Sequence, residues 1–244
     1  MPDLDDSAPR TARQIARAEL TKAITDAARR QLAEVGPSAL SLRAVARELG
    51  MASSAVYRYV ASRDELLTIL IIDTYDAIGE AAEAADDRAI AAGADAGARW
   101  LAVCRAVRSW ALAHPNEWAL VYGSPVPGYQ APQDTVGPAS RLGLAMARVV
   151  VDAAAGGELA AVVSLPAPTL VDPGVLEAIG GLPDAPHEDL PERSMLLWIA
   201  LVGAISFELF GHLHNVITDH AVGFDRQMAV AASSIGLTLP LDGA

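Results

Sequence analysis

The sequence predicts an all-α protein with a small basic N-terminal domain and a larger acidic C-terminal domain. Apolar residues make up 52% of the 244 residues, so the chain can bury a substantial core. Aromatic residues are only 5% and alanine is frequent, which favours helices over strands. No alternating apolar and polar pattern is long enough to indicate a strand.

The charged residues are divided unevenly along the chain. Residues 1–63 carry ten lysines and arginines against seven acids, a balance of +3, whereas residues 64–244 have a balance of −15. A basic segment suits a polyanion, and an acidic one does not. We therefore expect only the N-terminal part to contact nucleic acid.

The N-terminal segment, residues 1–18, is predicted to be a flexible arm. It bears three arginines, Arg10, Arg13 and Arg17. After it, "ELTKAITDAARRQLAEVG" has the apolar spacing of an amphipathic helix, and Gly36 is the stop signal.

Two short helices are predicted next, at about 41–49 and 53–60. Ser62 and Glu65 then have the spacing of a capping box, which predicts the start of a longer helix in "SRDELLTILIIDTYDAIGEAAEAA". We place the boundaries of the N-terminal domain at residues 19–66 and those of the C-terminal domain at 67–244.

The two short helices have the pattern of a helix-turn-helix. Apolar residues form one stripe on the first helix, at Leu42, Val45, Ala46 and Leu49. Gly50 follows where a left-handed residue is needed. On the second helix, Val56 and Val60 face the core of the domain. The open face then carries Ser53, Ser54, Tyr57 and Arg58, with Tyr59 at its margin. Two packed helices of an ordinary bundle are the alternative, but they require neither this glycine nor this polar face.

The rest of the chain is also predicted to be helical. Helices are expected in "DAGARWLAVCRAVRSWALAHP", "NEWALVY", "ASRLGLAMARVVVDAAAGG", "ERSMLLWIALVGAISFELFGHL" and "FDRQMAVAASSIGL". The prolines of "GSPVPGYQAPQDTVGP" predict a loop. The stretch "SLPAPTLVDPGVLEAIGGLPDAPHEDLP" is predicted to be mostly loop around one short helix.

Several classes of protein are disfavoured. The single cysteine, Cys104, permits no disulfide framework within the chain, and the five histidines have no zinc spacing. His114, Glu117 and Asp134 could supply acid and base groups, but nothing in the sequence fixes their geometry. The N-terminus lacks an apolar signal region, and the longest apolar run is too short to span a bilayer. We predict a cytoplasmic protein with no catalytic residues, metal or cofactor, and without a membrane partner.

Residues 19–70 resemble the DNA-binding domain of the tetracycline-repressor (TetR) family. The resemblance is carried by "SLRAVARELGMASSAVYRYVASRDELL". It implies an all-α dimer in which each subunit has a three-helix DNA-binding domain and a helical ligand-binding and dimerisation domain. The DNA-contacting residues that it implies are Ser41, Arg43, Ser53, Ser54, Tyr57, Arg58, Tyr59 and Arg63. Among them, Arg43 matches a base-reading position, whereas Tyr57, Tyr59 and Arg63 match phosphate-binding positions.

The C-terminal part resembles a subgroup named for a Trp-His-Gly motif. Trp198 and Gly203 stand at the expected places in "LWIALVGAISFELFGHL", but Val202 replaces the histidine. A ligand role that depends on that imidazole does not transfer to this chain.

Aromatic residues outside the N-terminal domain suggest a pocket for a small apolar effector. The candidate ligand-binding residues are Trp110, His114, Trp118, Tyr122 and Phe207. Ordinary core packing is the alternative for each of them. Because acids outnumber bases in this domain, a neutral or cationic effector is favoured over an anionic one.

The sequence thus predicts a ligand-responsive transcriptional regulator, most often a repressor in the family that it resembles. A homodimer would bind a near-palindromic double-stranded operator, and the effector would release it. The two closing helices are predicted to form the dimer interface, with Leu201 and Ile205 as contacts. The alternatives are an architectural DNA-binding protein without ligand control and a helical-bundle enzyme with an incidental helix-turn-helix.

Overall fold

The computed structural model describes residues 12–163, 170–178, 181 and 187–241. Within these residues it contains ten α-helices and no β-strand, which confirms the predicted fold class. The helices are α1 (Ala12–Val35), α2 (Leu42–Glu48), α3 (Ser53–Val56), α4 (Arg63–Ala91), α5 (Ala96–Ala113), α6 (Pro115–Tyr122), α7 (Val136–Ala155), α8 (Pro173–Ala178), α9 (Leu190–Leu209) and α10 (His220–Ser233). Arg10 and parts of the predicted loop at 164–191 lie outside the described residues.

The chain forms two compact units. The head unit comprises Met1–Ile71 and Pro125–Ala131, and the body unit comprises Ile72–Ser124 and Pro132–Ala244. The division along the chain therefore falls inside α4, five residues beyond the boundary that the sequence suggested. A short stretch of the predicted Pro-rich loop belongs to the head unit.

Helix α1 begins earlier than its apolar periodicity predicts. It starts at Ala12, so residues 12–18 are helical, and the prediction of a flexible arm is wrong for this part. The reason is propensity, because the alanines, arginines and glutamine of this stretch are all good helix formers. The side chains of residues 14–19 are nevertheless exposed, and the first fully buried residue of α1 is Ile24.

The head core places α2 and α3 against α1 and the start of α4. Its fully buried apolar side chains include Ile24, Leu32, Val45, Val56, Val60, Leu66 and Leu67. Gly50 has φ +64°, the left-handed conformation that the sequence predicted between the two motif helices. Helix α3 is a single turn, and hydrogen-bonded turns extend it from Tyr57 to Val60.

The capping box at the start of α4 is confirmed. The Ser62 hydroxyl accepts a hydrogen bond from the Glu65 N–H at 3.0 Å. The Glu65 carboxylate in turn accepts from the N–H of Ala61 at 2.6 Å. This arrangement ends the turn after α3 and fixes where α4 begins.

The loop at 125–131 is anchored within the head unit by Tyr129. Its hydroxyl lies 2.9 Å from the hydroxyl of Thr68 on α4. The Thr68 hydroxyl also donates to the carbonyl of Asp64 at 2.9 Å, so it accepts from Tyr129. The N–H of Tyr129 closes a turn with the carbonyl of Val126, a buried residue.

The body core is built mainly from α5, α7, α9 and α10. Its fully buried side chains include Trp100, Val107, Trp118, Val149, Leu197 and Met228. Helix α7 begins at Val136, inside the predicted loop. Pro138 lies in the first turn of α7, where its missing N–H costs no helical hydrogen bond.

A buried ion cluster ties three helices of the body unit together. Arg99 on α5 donates to both carboxylate oxygens of Asp86 on α4, at 2.7 and 3.0 Å. It also donates to Asp152 on α7 at 2.8 Å. Asp86 is 1% exposed, and its hydrogen bonds to Arg99 raise the pKa of that guanidinium. Both charges therefore stay paired within the core.

Helix α9 is apolar on two opposite faces. One face, with Leu197, Leu201 and Ile205, is buried in the body core of the same subunit. The other face exposes Leu196 and Ile199 to 49% and 58%. Leu201 and Ile205 are thus core residues, and their prediction as contacts between subunits is wrong. Among the described residues, α9 alone has the length and hydropathy of a membrane span, and 28% of that span is buried.

Candidate nucleic-acid interface and effector site

The predicted DNA-contacting residues lie at the beginning of α2, in α3 and the turns that follow it, and at the start of α4. Arg43 occupies the first turn of α2, directly after Ser41, which precedes the helix. Ser53 and Ser54 form the first half of the single turn of α3. The residues that are exposed are Arg43, Ser54, Tyr57 and Arg58, whereas Ser41, Ser53, Tyr59 and Arg63 are partly buried. The buried residues of the same elements, Val45 and Val56 among them, hold this polar face outward.

One predicted phosphate contact, Arg63, also has a structural role that the sequence did not reveal. Its guanidinium donates to the carbonyl oxygens of Pro37 at 2.8 Å, Leu40 at 3.2 Å and Ser38 at 3.3 Å. These carbonyls belong to the short 3-10 turn that follows α1 and to the residue after it. Arg63 therefore holds the segment before α2 against the start of α4. Its partners are more than 20 residues away along the chain, so no local pattern could have indicated them.

The five candidate ligand-binding residues occupy three places in the body unit. Trp110 stacks on His114, with ring centroids 4.7 Å apart. Trp118 packs on Tyr122 at 4.5 Å. Phe207 is 55% exposed and packs on His212 at 5.0 Å.

Trp118 and Tyr122 form the more enclosed of these places. The Trp118 indole donates to the Ser206 hydroxyl on α9 at 3.1 Å, which ties α6 to α9. Tyr75 meets the Tyr122 ring edge-on at 6.0 Å. The Tyr122 hydroxyl is buried, and no described residue hydrogen-bonds it with good geometry, although the Trp198 side chain lies close enough to interact with it. Burial raises the pKa of Tyr122, and Tyr75 raises it further, while Trp198 lowers it. The phenol is thus a neutral, poorly satisfied polar group inside an aromatic cluster.

Two open grooves lie at the other two places. A groove of about 520 Å³ between α4 and α5 is lined by four alanines and by Glu80, Arg88, Ser109 and Trp110. A groove of about 330 Å³ between α9 and α10 includes Phe207, Gln227 and Met228. Either is large enough to admit a small molecule.

The five arginines of α5 and α7 all form ion pairs with carboxylates. Arg99 pairs with Asp86, Arg105 with Asp225, Arg108 with Glu208, Arg141 with Glu83 and Asp76, and Arg148 with Asp87. These five cations are therefore already neutralised by protein groups. An anionic ligand would have to displace a carboxylate to reach one of them.

No chemistry beyond binding is indicated in the part of the chain that the structure describes. Cys104 is fully buried, and burial raises the pKa of its thiol, which leaves it unreactive. Across the same residues, no group of three or more His, Cys, Asp or Glu side chains is arranged to hold a metal ion.

A helix-turn-helix in a three-helix head, joined to a helical body, defines a transcriptional regulator that binds DNA. Comparison with known proteins identifies the class more closely. Residues 24–68 match the model of the bacterial regulatory proteins of the tetR family, and residues 100–231 match a tetracyclin repressor-like C-terminal domain. The chain belongs to the TetR family of transcriptional regulators. Neither match names the Trp-His-Gly subgroup, which stays a prediction.

Relatives of known sequence and structure agree with this membership. The chain is 42% identical over 222 residues to the HTH-type transcriptional regulator Rv1816 of Mycobacterium tuberculosis, covering 88% of this chain and 92% of the relative. It is 32% identical to the solved regulatory protein SCO4313, with a TM-score of 0.67 over 93% of this chain and all of the other. A TetR family regulator from Shewanella sp. PV-4 shares the fold at 18% identity, with a TM-score of 0.58 over 89% and 98% of the chains. The relatives whose names state a function are regulators rather than enzymes.

Proposed function

We propose that the protein is a ligand-responsive repressor that acts in the cytoplasm. A homodimer binds a near-palindromic operator through its two head units, and a small neutral or cationic apolar molecule in the body unit releases it. The observation that carries the DNA-binding part is the outward polar face of α2 and α3. Family membership supports the remainder.

Arg43, Tyr57 and Arg58 are the centre of the proposed operator contact. They are exposed, and no ion pair or side-chain hydrogen bond is found for them among the described residues. Arg43 can donate two parallel hydrogen bonds to a guanine edge in the major groove. Tyr57 has a hydroxyl suited to a phosphate oxygen.

The dimer is supported by the exposed apolar face of the two closing helices. Large apolar side chains on this face include Leu196, Ile199, Phe207, Val222 and Val230, each 49% to 73% exposed. Clustered exposed apolar side chains are the usual mark of a protein interface, and these five lie on two helices that pack together. Two helices from each subunit would form a four-helix bundle about a two-fold axis.

The effector is supported by the buried hydroxyl of Tyr122 beside Trp118 and Tyr75. Buried polar groups are nearly always well hydrogen-bonded, so a phenol with no partner of good geometry among aromatic rings suits a ligand that is apolar with one polar group. The paired arginines of α5 and α7 argue against an anionic ligand beside Tyr122, although Arg88 lines the groove between α4 and α5. The effector would act by binding the DNA-free state more tightly than the operator-bound state.

An architectural DNA-binding protein without ligand control is the second candidate. The observation that favours it is that Trp118 is fully buried and that both grooves are open to solvent. An enzyme is disfavoured because the candidate acid and base groups at His114, Glu117 and Asp134 are not brought together by any contact that we find.

Operator binding is tested by selecting duplexes from a random-sequence pool with the wild-type protein. Arg43→Ala is expected to cost roughly 1–3 kcal/mol on the selected duplex and to relax the base preference at one position. Tyr57→Phe should weaken binding to selected and scrambled duplexes about equally, because a phosphate contact carries no sequence information. Failure of the wild type to enrich any sequence would contradict specific operator binding.

Ligand control is tested by a thermal-shift screen of neutral and cationic apolar compounds. A compound that raises the melting temperature should also lower affinity for the selected duplex. Tyr122→Phe should then weaken the binding of that compound and leave DNA binding without ligand unchanged. Trp110→Ala tests the groove between α4 and α5 in the same way. Stabilising compounds that leave DNA affinity unchanged would favour the architectural candidate.

A further inference from the structure

Helix α1 begins before the part of the chain that the family model matches. The family model for the DNA-binding domain begins at residue 24, whereas α1 begins at Ala12. The extension contributes almost nothing to the head core, since residues 14–19 are exposed and Ile15 is 46% exposed. A helical extension that buries no core residue requires another reason for its position.

The extension brings one cation, Arg17, onto the helix-turn-helix. The guanidinium carbon of Arg17 lies 5.7 Å from the centre of the Tyr59 ring. Both residues belong to the head unit, and Tyr59 lies in the turns that follow α3. A guanidinium over an aromatic face is attracted by the ring and loses conformational freedom.

Arg17 differs from Lys22, another cation of the extension, in having no acidic partner among the described residues. Lys22 is held by Asp26 at 2.7 Å. For Arg17, no carboxylate partner occurs among the residues that the structure describes, and its side chain is exposed. Its charge is thus held beside Tyr59 and is not neutralised by a carboxylate among the described residues.

We infer that Arg17 is a further DNA contact, which binds a backbone phosphate together with the Tyr59 hydroxyl. The guanidinium presents N–H groups in the planar geometry that a phosphate accepts, and the Tyr59 ring holds it in position. The contact extends the DNA footprint of each head beyond the helix-turn-helix. It rests on the proposed function, because it requires that the head units bind duplex DNA.

The contact has a measurable signature in salt. Each phosphate that a protein neutralises releases counterions, so log K falls by about 0.9 per tenfold increase in salt. A dimer has two copies of Arg17, so the slope attributable to it is about 1.8. Between 50 and 200 mM salt, the wild type should therefore lose roughly tenfold more affinity than Arg17→Gln.

The experiment measures affinity by fluorescence anisotropy from 50 to 200 mM NaCl. The probes are a duplex selected by the wild type from a random pool and a scrambled duplex of the same length. Arg17→Gln should weaken binding to both probes about equally and lower the salt slope by about 1.8. Arg17→Lys should restore the slope but only part of the affinity, because lysine lacks the planar fork. Tyr59→Leu should reduce the effect of Arg17→Gln in the double variant.

Lys22→Gln is the matched control, since it removes one positive charge from the same helix at a residue already paired with Asp26. It should leave the slope nearly unchanged. If Arg17→Gln and Lys22→Gln have equal effects, Arg17 acts only through the net charge of the protein, and the inference is overturned. The inference would also be overturned if the wild type and the Arg17→Gln protein bound the selected duplex with the same affinity and the same salt slope. A wild type that binds neither probe would instead overturn the proposed function.

Discussion

The exposed apolar face of α9 leads to a specific prediction about assembly. Ile199→Asp places a carboxylate where the proposed interface needs an apolar side chain. Because Ile199 is 58% exposed within its own subunit, the fold of that subunit should tolerate the change. Leu201→Asp differs, because Leu201 has no exposed surface and a carboxylate there would be buried in the core. The first variant should give soluble monomers and the second misfolded protein.

The expected magnitude follows from the exposed fraction. Burying a whole large aliphatic side chain contributes about 1.5–3 kcal/mol, so covering the exposed part of Ile199 contributes roughly 1–2 kcal/mol. Two-fold symmetry repeats the contact, which gives roughly 2–4 kcal/mol for each dimer. The dissociation constant of the dimer should therefore rise by about 30- to 1,000-fold, and the desolvation of two carboxylates would increase that figure.

Sedimentation equilibrium over a range of protein concentrations measures this constant directly. Val136→Asp is the control, because Val136 is 50% exposed but lies at the start of α7, outside the proposed interface. That variant should dimerise like the wild type. A wild type that stays monomeric at every concentration, or an Ile199→Asp protein that dimerises equally well, would refute the reasoning.

Three further predictions concern stability. Asp86→Asn should cost about 3–5 kcal/mol in chemical unfolding, because it leaves the buried Arg99 guanidinium without its main partner. Ser62→Ala should cost about 1 kcal/mol, because it removes the cap of α4. Burial lowers the pKa of His187, which is 3% exposed, so the unfolded chain binds the proton more readily. The contribution of this imidazole to stability is therefore present above pH of about 6.5 and is lost as the pH falls toward its folded pKa.

Each of these predictions has a control and an outcome that contradicts it. Arg105→Gln breaks the more exposed pair with Asp225 and should cost at most about 1 kcal/mol of unfolding free energy. If Asp86→Asn costs no more than this, the buried pair with Arg99 does not stabilise the fold more than an exposed pair does. An unchanged unfolding midpoint in Ser62→Ala would show that the Ser62 cap does not stabilise α4. The His187→Gln protein should lose less stability than the wild type below pH of about 6.5. Parallel pH profiles for the two proteins would show that His187 is not the group responsible.

The head unit could be predicted well because its signals are local. The apolar stripe of α2, the left-handed Gly50 and the Ser62–Glu65 pair each depend on residues within one or two turns. The role of Arg63 could not be predicted in the same way, since it bonds to carbonyls that only the tertiary fold brings near. The early start of α1 was missed because apolar periodicity begins at the core, whereas helix propensity extends the helix into solvent.

The body unit was less predictable for a different physical reason. Helix α9 is apolar nearly all round, so periodicity could not show which face lies in the core and which is exposed. The candidate effector residues were grouped by composition alone. Their separation into three places depends on which helices pack together, and that is decided by side-chain volumes at contacts between distant segments.

The loop at 125–131 makes the DNA-binding part of this protein discontinuous in sequence. A gene fragment that encodes only residues 1–71 would lack Tyr129 and its hydrogen bond to Thr68. Exchange of heads between relatives by a single crossover would separate the same pair, so a chimaera would inherit Thr68 from one parent and residue 129 from the other. Recombination should therefore succeed more often when the loop moves together with the head, or when the two parents have compatible residues at these positions.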